Sequence, residues 1–420
     1  MNSAELPDVT SNPLARLFLP EGRRDPYTPT RELRATAAVH ETPLGLRLLT
    51  RYADCAAVLQ DTAWSHADEA AQMHPSVPAD SAAEEMPTSF LWMDPPDHTR
   101  LRTLVSKAFT PRMVSALRPR IEQLVDDLVT KALQAGEFDL IDLIAYPLPL
   151  SIVCELVGVP ASAHADVQRW SQDLARGFDP DPLMTPEAHE ARSTASREFM
   201  AFFRGLIDQR RADPRDDLLS ALGAVEDRGE VLTETELLST CVTTVVAGHE
   251  TTVNLIGSGL LALMRNPGQL ALLRDDPELI PSAVEELLRY EPPVQLTTRS
   301  ATRPMSVAGA DFEPGDGVVV LINSGNRDEL VFTDPDRLDV TRYHDRSAPP
   351  PRHLAFSLGI HYCLGAPLAL LEMQILLEAL VRRVAVLEPL TDTPPYKPNL
   401  VVRGLAALPT CFRPIERSAR

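Results

Sequence analysis

The strongest constraint on how this chain can fold is one long helical run. Thr233-Glu234-Thr235-Glu236 has the form of a capping box, in which the threonine hydroxyl accepts a backbone N–H and the glutamate three residues on reaches back. The helical pattern then continues to Asn266-Pro267, where proline stops it. About 32 residues at 1.5 Å each make roughly 48 Å of helix, enough to cross a whole domain. The remaining elements must be built around it. Its middle, Ala247-Gly248-His249-Glu250-Thr251-Thr252, puts a glycine and polar side chains where a buried helix is normally apolar. Threonine can bond a carbonyl one turn back and glycine weakens the helix, so a local distortion is expected here. A tolerated polar face is the plainer reading.

Helical periodicity dominates from about Thr99 to Asn266, with boundaries at Thr110-Pro111, Val159-Pro160, Asp213-Pro214 and Asn266-Pro267. Strand signals come later. Val318 to Ile322, after the turn residues Pro314-Gly315-Asp316-Gly317, reads as a buried strand, and Met305 to Val307 as a weaker one. Helices first and a modest sheet afterwards predict a mainly α fold with small accessory β-sheets. No internal repeat and no linker divides the 420 residues, although 38 prolines punctuate them. One large unit over residues 1–420 is expected, with about 1–30 as an extension that does not fold separately.

Forty Lys and Arg against 59 Asp and Glu give a net charge of −19, which argues against general nucleic-acid binding over the whole surface. The five cysteines, Cys55, Cys154, Cys241, Cys363 and Cys411, are odd in number and scattered, unlike a secreted disulfide framework. A cytoplasmic location fits them. No signal-peptide pattern opens the sequence, and no run reaches the ~18 uncharged apolar residues of a membrane span. Leu143 to Val159 is the most apolar early stretch, yet it contains Pro147, Pro149 and Glu155.

The chemistry points to Phe356-Ser357-Leu358-Gly359-Ile360-His361-Tyr362-Cys363-Leu364-Gly365. A lone cysteine is usually a small buried hydrophobe. Here Gly359 and Gly365 allow close backbone approach, and the apolar run from Leu368 to Leu380 reads as a buried helix starting just past the sulfur. Backbone N–H groups and the helix dipole stabilise a thiolate in such a place, which suits a metal ligand or a nucleophile.

This segment resembles the haem-ligand loop of the cytochrome P-450 superfamily, whose pattern Phe-x-x-Gly-x-His-x-Cys-x-Gly is met at Phe356, Gly359, His361, Cys363 and Gly365. Other family motifs follow in the same order along most of the chain. Glu286-Leu287-Leu288-Arg289 resembles the Glu-x-x-Arg motif, with Arg337 in Asp334-Pro335-Asp336-Arg337 as the expected third member of a buried network. Ala247 to Thr251 resembles the oxygen-activation motif. Helical spacing puts Thr243, Thr244, Ala247 and Thr251 broadly on one face, while His249 points elsewhere and reads as structural. Two departures stand out: Ser357 where a second glycine is common, and Leu370 where an arginine is frequent.

The resemblance implies a single cytochrome P-450-like domain, mainly α with a long central helix, and haem b with Cys363 as its axial ligand. An anionic sulfur in that position favours O–O cleavage, and Thr251 with Glu250 would relay protons. Asp94-Pro95-Pro96-Asp97 reads as a helix start capped by Asp94. His98, Arg102, Arg299 and His361 match residues that hold the haem propionates, with His353 a weaker candidate. Pocket walls carried over by position are Phe90, Leu91, Thr243, Val246, Val294, Leu296, Thr297 and Val401. Ser65 to Ser89 is expected as a loop over the pocket and Gly177 to Pro186 as a second gate.

The implied reaction is insertion of one oxygen atom into a mainly apolar small molecule, such as a secondary-metabolite intermediate, by a monomer. Electrons from NAD(P)H would arrive through a ferredoxin reductase and an acidic ferredoxin. From His98 to Arg120 there are six basic residues, Arg100, Arg102, Lys107, Arg112, Arg118 and Arg120, and no acid, which suggests a dock for that carrier. A solvated helical face is the alternative. Radical coupling, rearrangement or peroxide-driven oxidation would use the same loop, and a haem-binding sensor would need no acid and alcohol on the long helix. A zinc site on Cys363 and His361 lacks a second pair of ligands.

Overall fold

The computed structural model describes residues 12–42, 45–67, 89–179, 184–345, 347 and 349–415. Its axis is the central helix, Glu234–Arg265. The capping box forms as the sequence requires: the Thr233 hydroxyl accepts from the N–H of Glu236, and Glu236 accepts from the N–H of Thr233. The helix is buried nearly all round, so packing rather than propensity holds it. Each buried leucine there contributes about 1.5–3 kcal/mol. The expected distortion does not interrupt it. Thr251 and Thr252 instead donate to the carbonyls of Ala247 and Gly248, four residues back, at 2.7 and 3.2 Å.

Helices Pro147–Val157, His164–Ala175 and Pro186–Ala212 pack on one flank of the central helix, and Ile280–Tyr290 on another. Pro147 and Pro149 both sit in the first turn of their helix, where a missing N–H leaves no bond unmade. The helix after the cysteine loop spans Ala366–Arg383, ending against Val384–Pro389, the first strand of a three-stranded sheet.

A five-stranded sheet takes the order Val39–Glu41, Arg47–Leu49, Gly317–Leu321, Leu296–Ala301, Trp64–Ser65. Val318 and Val320 are fully buried at its centre. The predicted strand therefore exists, but Ile322 already begins a short helix. Met305–Val307 pairs with Ala310–Phe312 as a hairpin. At the other end of the chain, Pro13–Phe18, Pro20–Arg24 and Tyr27–Thr36 are short helices. Arg403 fastens them by donating to the carbonyls of Arg23 and Arg24. Among the described residues no helix is long and apolar enough to cross a membrane.

Candidate functional site

A cavity of about 920 Å³ lies between the cysteine loop and the central helix. Phe356, Cys363, Leu364 and Gly365 line one wall, and Thr243, Thr244, Ala247, Gly248, Thr251 and Thr252 line another. The loop's path explains both walls. Ser357 and Gly359 have φ of 59° and 66°, so the serine takes up a left-handed conformation that glycine adopts more readily. A side chain at Gly359 would strike the carbonyl oxygen of Leu59 at 2.7 Å. That glycine thus makes room for a neighbouring helix end, not for the sulfur. Gly365 is the one beside Cys363, 3.9 Å from Sγ to where a Cβ would stand.

Cys363 donates its backbone N–H to the carbonyl of Phe356 at 2.9 Å. Burial raises its thiol above the usual range, and the N–H groups of Gly365 and Ala366 and the charge of Arg102 pull the other way. The donors expected at the helix start are present, but desolvation outweighs them. The other four cysteines are buried and free, and none lines the cavity.

One rim of the cavity gathers basic groups. Arg102 reaches in from helix Asp97–Ala108 and donates to the carbonyl of Tyr362 at 2.6 Å. Arg299, buried on its strand, donates only to the hydroxyl of Thr297 and the carbonyl of Thr298. Burial lowers its pKa to about 10. The His98 ring lies 4.4 Å from that of His361, and neither His98 nitrogen has a hydrogen-bond partner although the residue is buried. Burial and the nearby cations push His361 down to about 3 and lower His98 as well. Among the described residues, no ion pair is recorded for any of these four.

His66 belongs to the same rim and is not legible as such in the sequence. Its ring lies 5.1 Å from His361 and 4.5 Å from Trp92, and burial holds it well below the usual histidine range. Asp94 explains its place. Its carboxylate accepts from the hydroxyl of Ser65 and the N–H of His66, so Asp94 does not cap the following helix, which starts at Asp97.

Phe90, Leu91, Thr243, Val294, Leu296, Thr297 and Val401 line the cavity, with Trp92 and Phe178 beside them. Val246 does not: it is core, one residue and about 100° of helical turn from Ala247. Glu250 is likewise turned away. Its carboxylate accepts from Lys397 at 2.9 Å and faces the hydroxyl of Tyr146 at 3.5 Å. Burial alone would lower Lys397, yet Glu250 and Tyr146 hold it above the usual range. His249 is buried beside Tyr146, lowered to about 4 by burial. His353 pairs with Glu285 at 2.8 Å and is not on the rim. Most of the loop expected at Ser65 to Ser89, residues 68–88, and the middle of the gate expected at Gly177 to Pro186, residues 180–183, fall outside the described residues.

The buried network forms with a different third member. Arg289 grips Glu286 through two bonds of 2.7 and 2.8 Å, and Arg342 donates to the same carboxylate at 3.0 Å. Arg337 points outward to Asp339 and offers only its carbonyl to Arg289. The basic segment is also less free than its sequence suggests. Arg100 pairs with Glu230 and Glu236, Lys107 with Asp227, Arg118 with Glu122 and Arg120 with Glu155. Among the described residues, only Arg102 on the rim and exposed Arg112 of the six are without an ion pair.

A thiol facing a helix of small and hydroxyl side chains across a mostly apolar cavity, with unpaired cations on one rim, defines a haem-thiolate class of site. Unpaired buried guanidinium groups require anions and the unsatisfied imidazole N–H groups require acceptors; the two carboxylates of a haem would supply both, so the residues present fit the group. The Cytochrome P450 family profile matches residues 48–410, and the chain belongs to that family.

The chain is 38% identical over 402 residues to 6-deoxyerythronolide B hydroxylase of Saccharopolyspora erythraea, covering 92% of this chain and 95% of that protein. It is 38% identical over 373 residues to the polyketide biosynthesis cytochrome P450 PksS of Bacillus subtilis, covering 86% and 88%. The ligand-free crystal structure of Mycobacterium smegmatis CYP164A2 superposes with a TM-score of 0.86 at 39% identity, covering 95% and 99%. The protein is a cytochrome P450 monooxygenase.

Proposed function

We propose that this monooxygenase hydroxylates or epoxidises a large, mainly apolar polyketide-type secondary metabolite. The observation that carries this reading is the cavity itself: about 920 Å³, walled by Phe90, Leu91, Trp92, Phe178, Val294 and Val401 above Thr251. Such walls bind by apolar burial and leave orientation to a few polar groups, here Thr243, Thr297 and His66. One of the relatives named above carries polyketide biosynthesis in its name and another is named as a hydroxylase, which supports the reading.

Cys363 would hold the iron of a haem through its sulfur, and His98, Arg102, Arg299 and His361 would hold its propionates. When bound, haem b supplies the chemistry of dioxygen activation and oxygen insertion. The chain's own residues position substrate, exclude bulk water and move protons. Thr251, which lines the cavity, donates its hydroxyl to the Ala247 carbonyl at 2.7 Å. Glu250 sits behind the helix as a carboxylate accepting from Lys397 and Tyr146, so it would have to take up a proton before passing one to Thr251. The whole chain is taken as one such unit, with electrons from NAD(P)H reaching it through a ferredoxin and its reductase.

The test is a spectral titration of the haem-loaded protein with 6-deoxyerythronolide B and with a linear fatty acid. The reading expects a saturable shift of the Soret band with the macrolactone and a weaker one with the fatty acid. A shift confined to the fatty acid would refute the substrate class.

A further inference from the structure

One polar pair in the cavity wall is left over once the rim is assigned. Arg102, Arg299, His98 and His361 offer one donor group for each of the four oxygens of two carboxylates. His66 stands next to that set without being needed by it. Its ring lies 5.1 Å from that of His361 and 4.5 Å from that of Trp92, so it joins the rim to the apolar wall. His66, Trp92 and Thr297 all line the cavity.

The pair is His66 and Thr297, and backbone bonds hold both in place. Asp94 accepts from the His66 N–H at 3.0 Å, which fixes the chain from which the ring projects. Thr297 lies in the strand Leu296–Ala301, opposite Val320 in the antiparallel ladder with Gly317–Leu321. The Thr297 hydroxyl and His66 Nε2 are 3.5 Å apart, at the outer limit for a hydrogen bond. That hydroxyl already accepts from Arg299 at 3.0 Å, so its own hydrogen remains to be given away. Nδ1 is buried, without a partner among the described residues, which leaves Nε2 as the nitrogen that a bound molecule can meet. Burial first and then the charge of Arg299 hold the ring well below the usual histidine range, against a smaller pull from the Leu91 backbone. The imidazole is therefore uncharged at neutral pH.

An uncharged ring nitrogen and a hydroxyl hydrogen, set too far apart to satisfy each other well, suit one kind of third group. An alcohol oxygen about 2.8 Å from each accepts from Thr297 and exchanges a hydrogen bond with Nε2, whichever ring nitrogen carries the proton. We infer that His66 and Thr297 form a hydroxyl-recognition subsite, so that the substrate is a mainly apolar molecule oriented by one of its alcohol groups. They are specificity-determining residues and take no part in the oxidation. Trp92, packed against His66, and Phe178, 6.5 Å from Trp92, offer the carbon skeleton an apolar surface beside the subsite. This rests on the reading of the cavity as the site of a large apolar substrate.

The test titrates the haem-loaded protein with cyclopentadecanol and with cyclopentadecane, rings of one size that differ by a single hydroxyl, and reads the Soret shift. The ratio of their two dissociation constants should move about 10-fold toward the hydrocarbon in His66→Phe. Thr297→Val should move it by a similar factor, and the double variant no further, because both side chains act on one hydroxyl. His66→Gln, which keeps a polar end, should recover part of the preference. A packing defect would weaken both rings alike. An unchanged ratio in the variants therefore refutes the subsite while the large apolar site stands. No saturable shift of the parent protein with either ring would overturn both. Haem loss from His66→Phe with the ratio intact would place His66 with the propionates and refute the subsite.

Discussion

Two clusters of buried charge in this molecule look alike in composition and behave as opposites. Around Glu286, two guanidinium groups share one carboxylate and the surrounding carbonyls take the remaining donors. Around the cavity rim, Arg102, Arg299, His98 and His361 lie together and, among the described residues, no acid forms an ion pair with any of them. The first cluster is complete within the chain and serves structure. The second is complete only with an anionic ligand, so its cost in the empty protein is the measure of its function.

Breaking the complete cluster should have the largest effect. Arg289→Ala strands Glu286 with no solvent to receive it and is expected to cost about 3–5 kcal/mol, read as loss of folded, haem-containing protein in thermal unfolding. Arg342→Ala removes one bond to the same carboxylate and should cost less, about 1.5–3 kcal/mol. Arg337→Ala, at a side chain exposed to water, should fall within about 0.5 kcal/mol. Equal losses at Arg337 and Arg342 would contradict the assignment of the third member.

The incomplete cluster predicts a change of sign. Arg299→Met takes an unpaired cation out of the interior, so the haem-free protein should become more stable by about 1 kcal/mol. The loaded protein should lose haem about 10-fold faster to an external acceptor. Destabilisation of both forms would show that Arg299 is paired within the chain after all.

Exposed Arg112 extends the contrast to the surface. Its neighbours in the basic segment are already paired, so Arg112→Glu should slow reduction by a ferredoxin several-fold at low salt and converge with the parent at high salt. No difference at low salt would remove this residue from the dock. Glu372 adds a dependence on pH. Burial raises its carboxyl to about 8, so between about 4.5 and 8 the folded state binds a proton that the unfolded state has released, and stability falls as pH rises. Glu372→Gln should flatten that slope, seen as a higher Tm at pH 8 and little change at pH 4.5.

Much of this was legible in the sequence. The capping box and Asn266-Pro267 bound the central helix, and Phe356 to Gly365 locate the cysteine loop, because each depends on residues close in sequence. Helical periodicity also contained the turning away of Glu250 and Val246, one position off the face of Ala247 and Thr251. What was hidden depends on contacts across the chain. Asp94 looks like a cap until Ser65 and His66, almost thirty residues earlier, take its oxygens. Arg342 takes the place expected of Arg337, whose side chain turns out to Asp339.

The central claim is that Cys363 binds haem iron as a thiolate, and the most direct measurement is the absorption spectrum of the dithionite-reduced protein with and without carbon monoxide. The account predicts a strongly red-shifted Soret band that is lost in Cys363→Ala. Absence of haem, or a band of the histidine-ligated type, would contradict it.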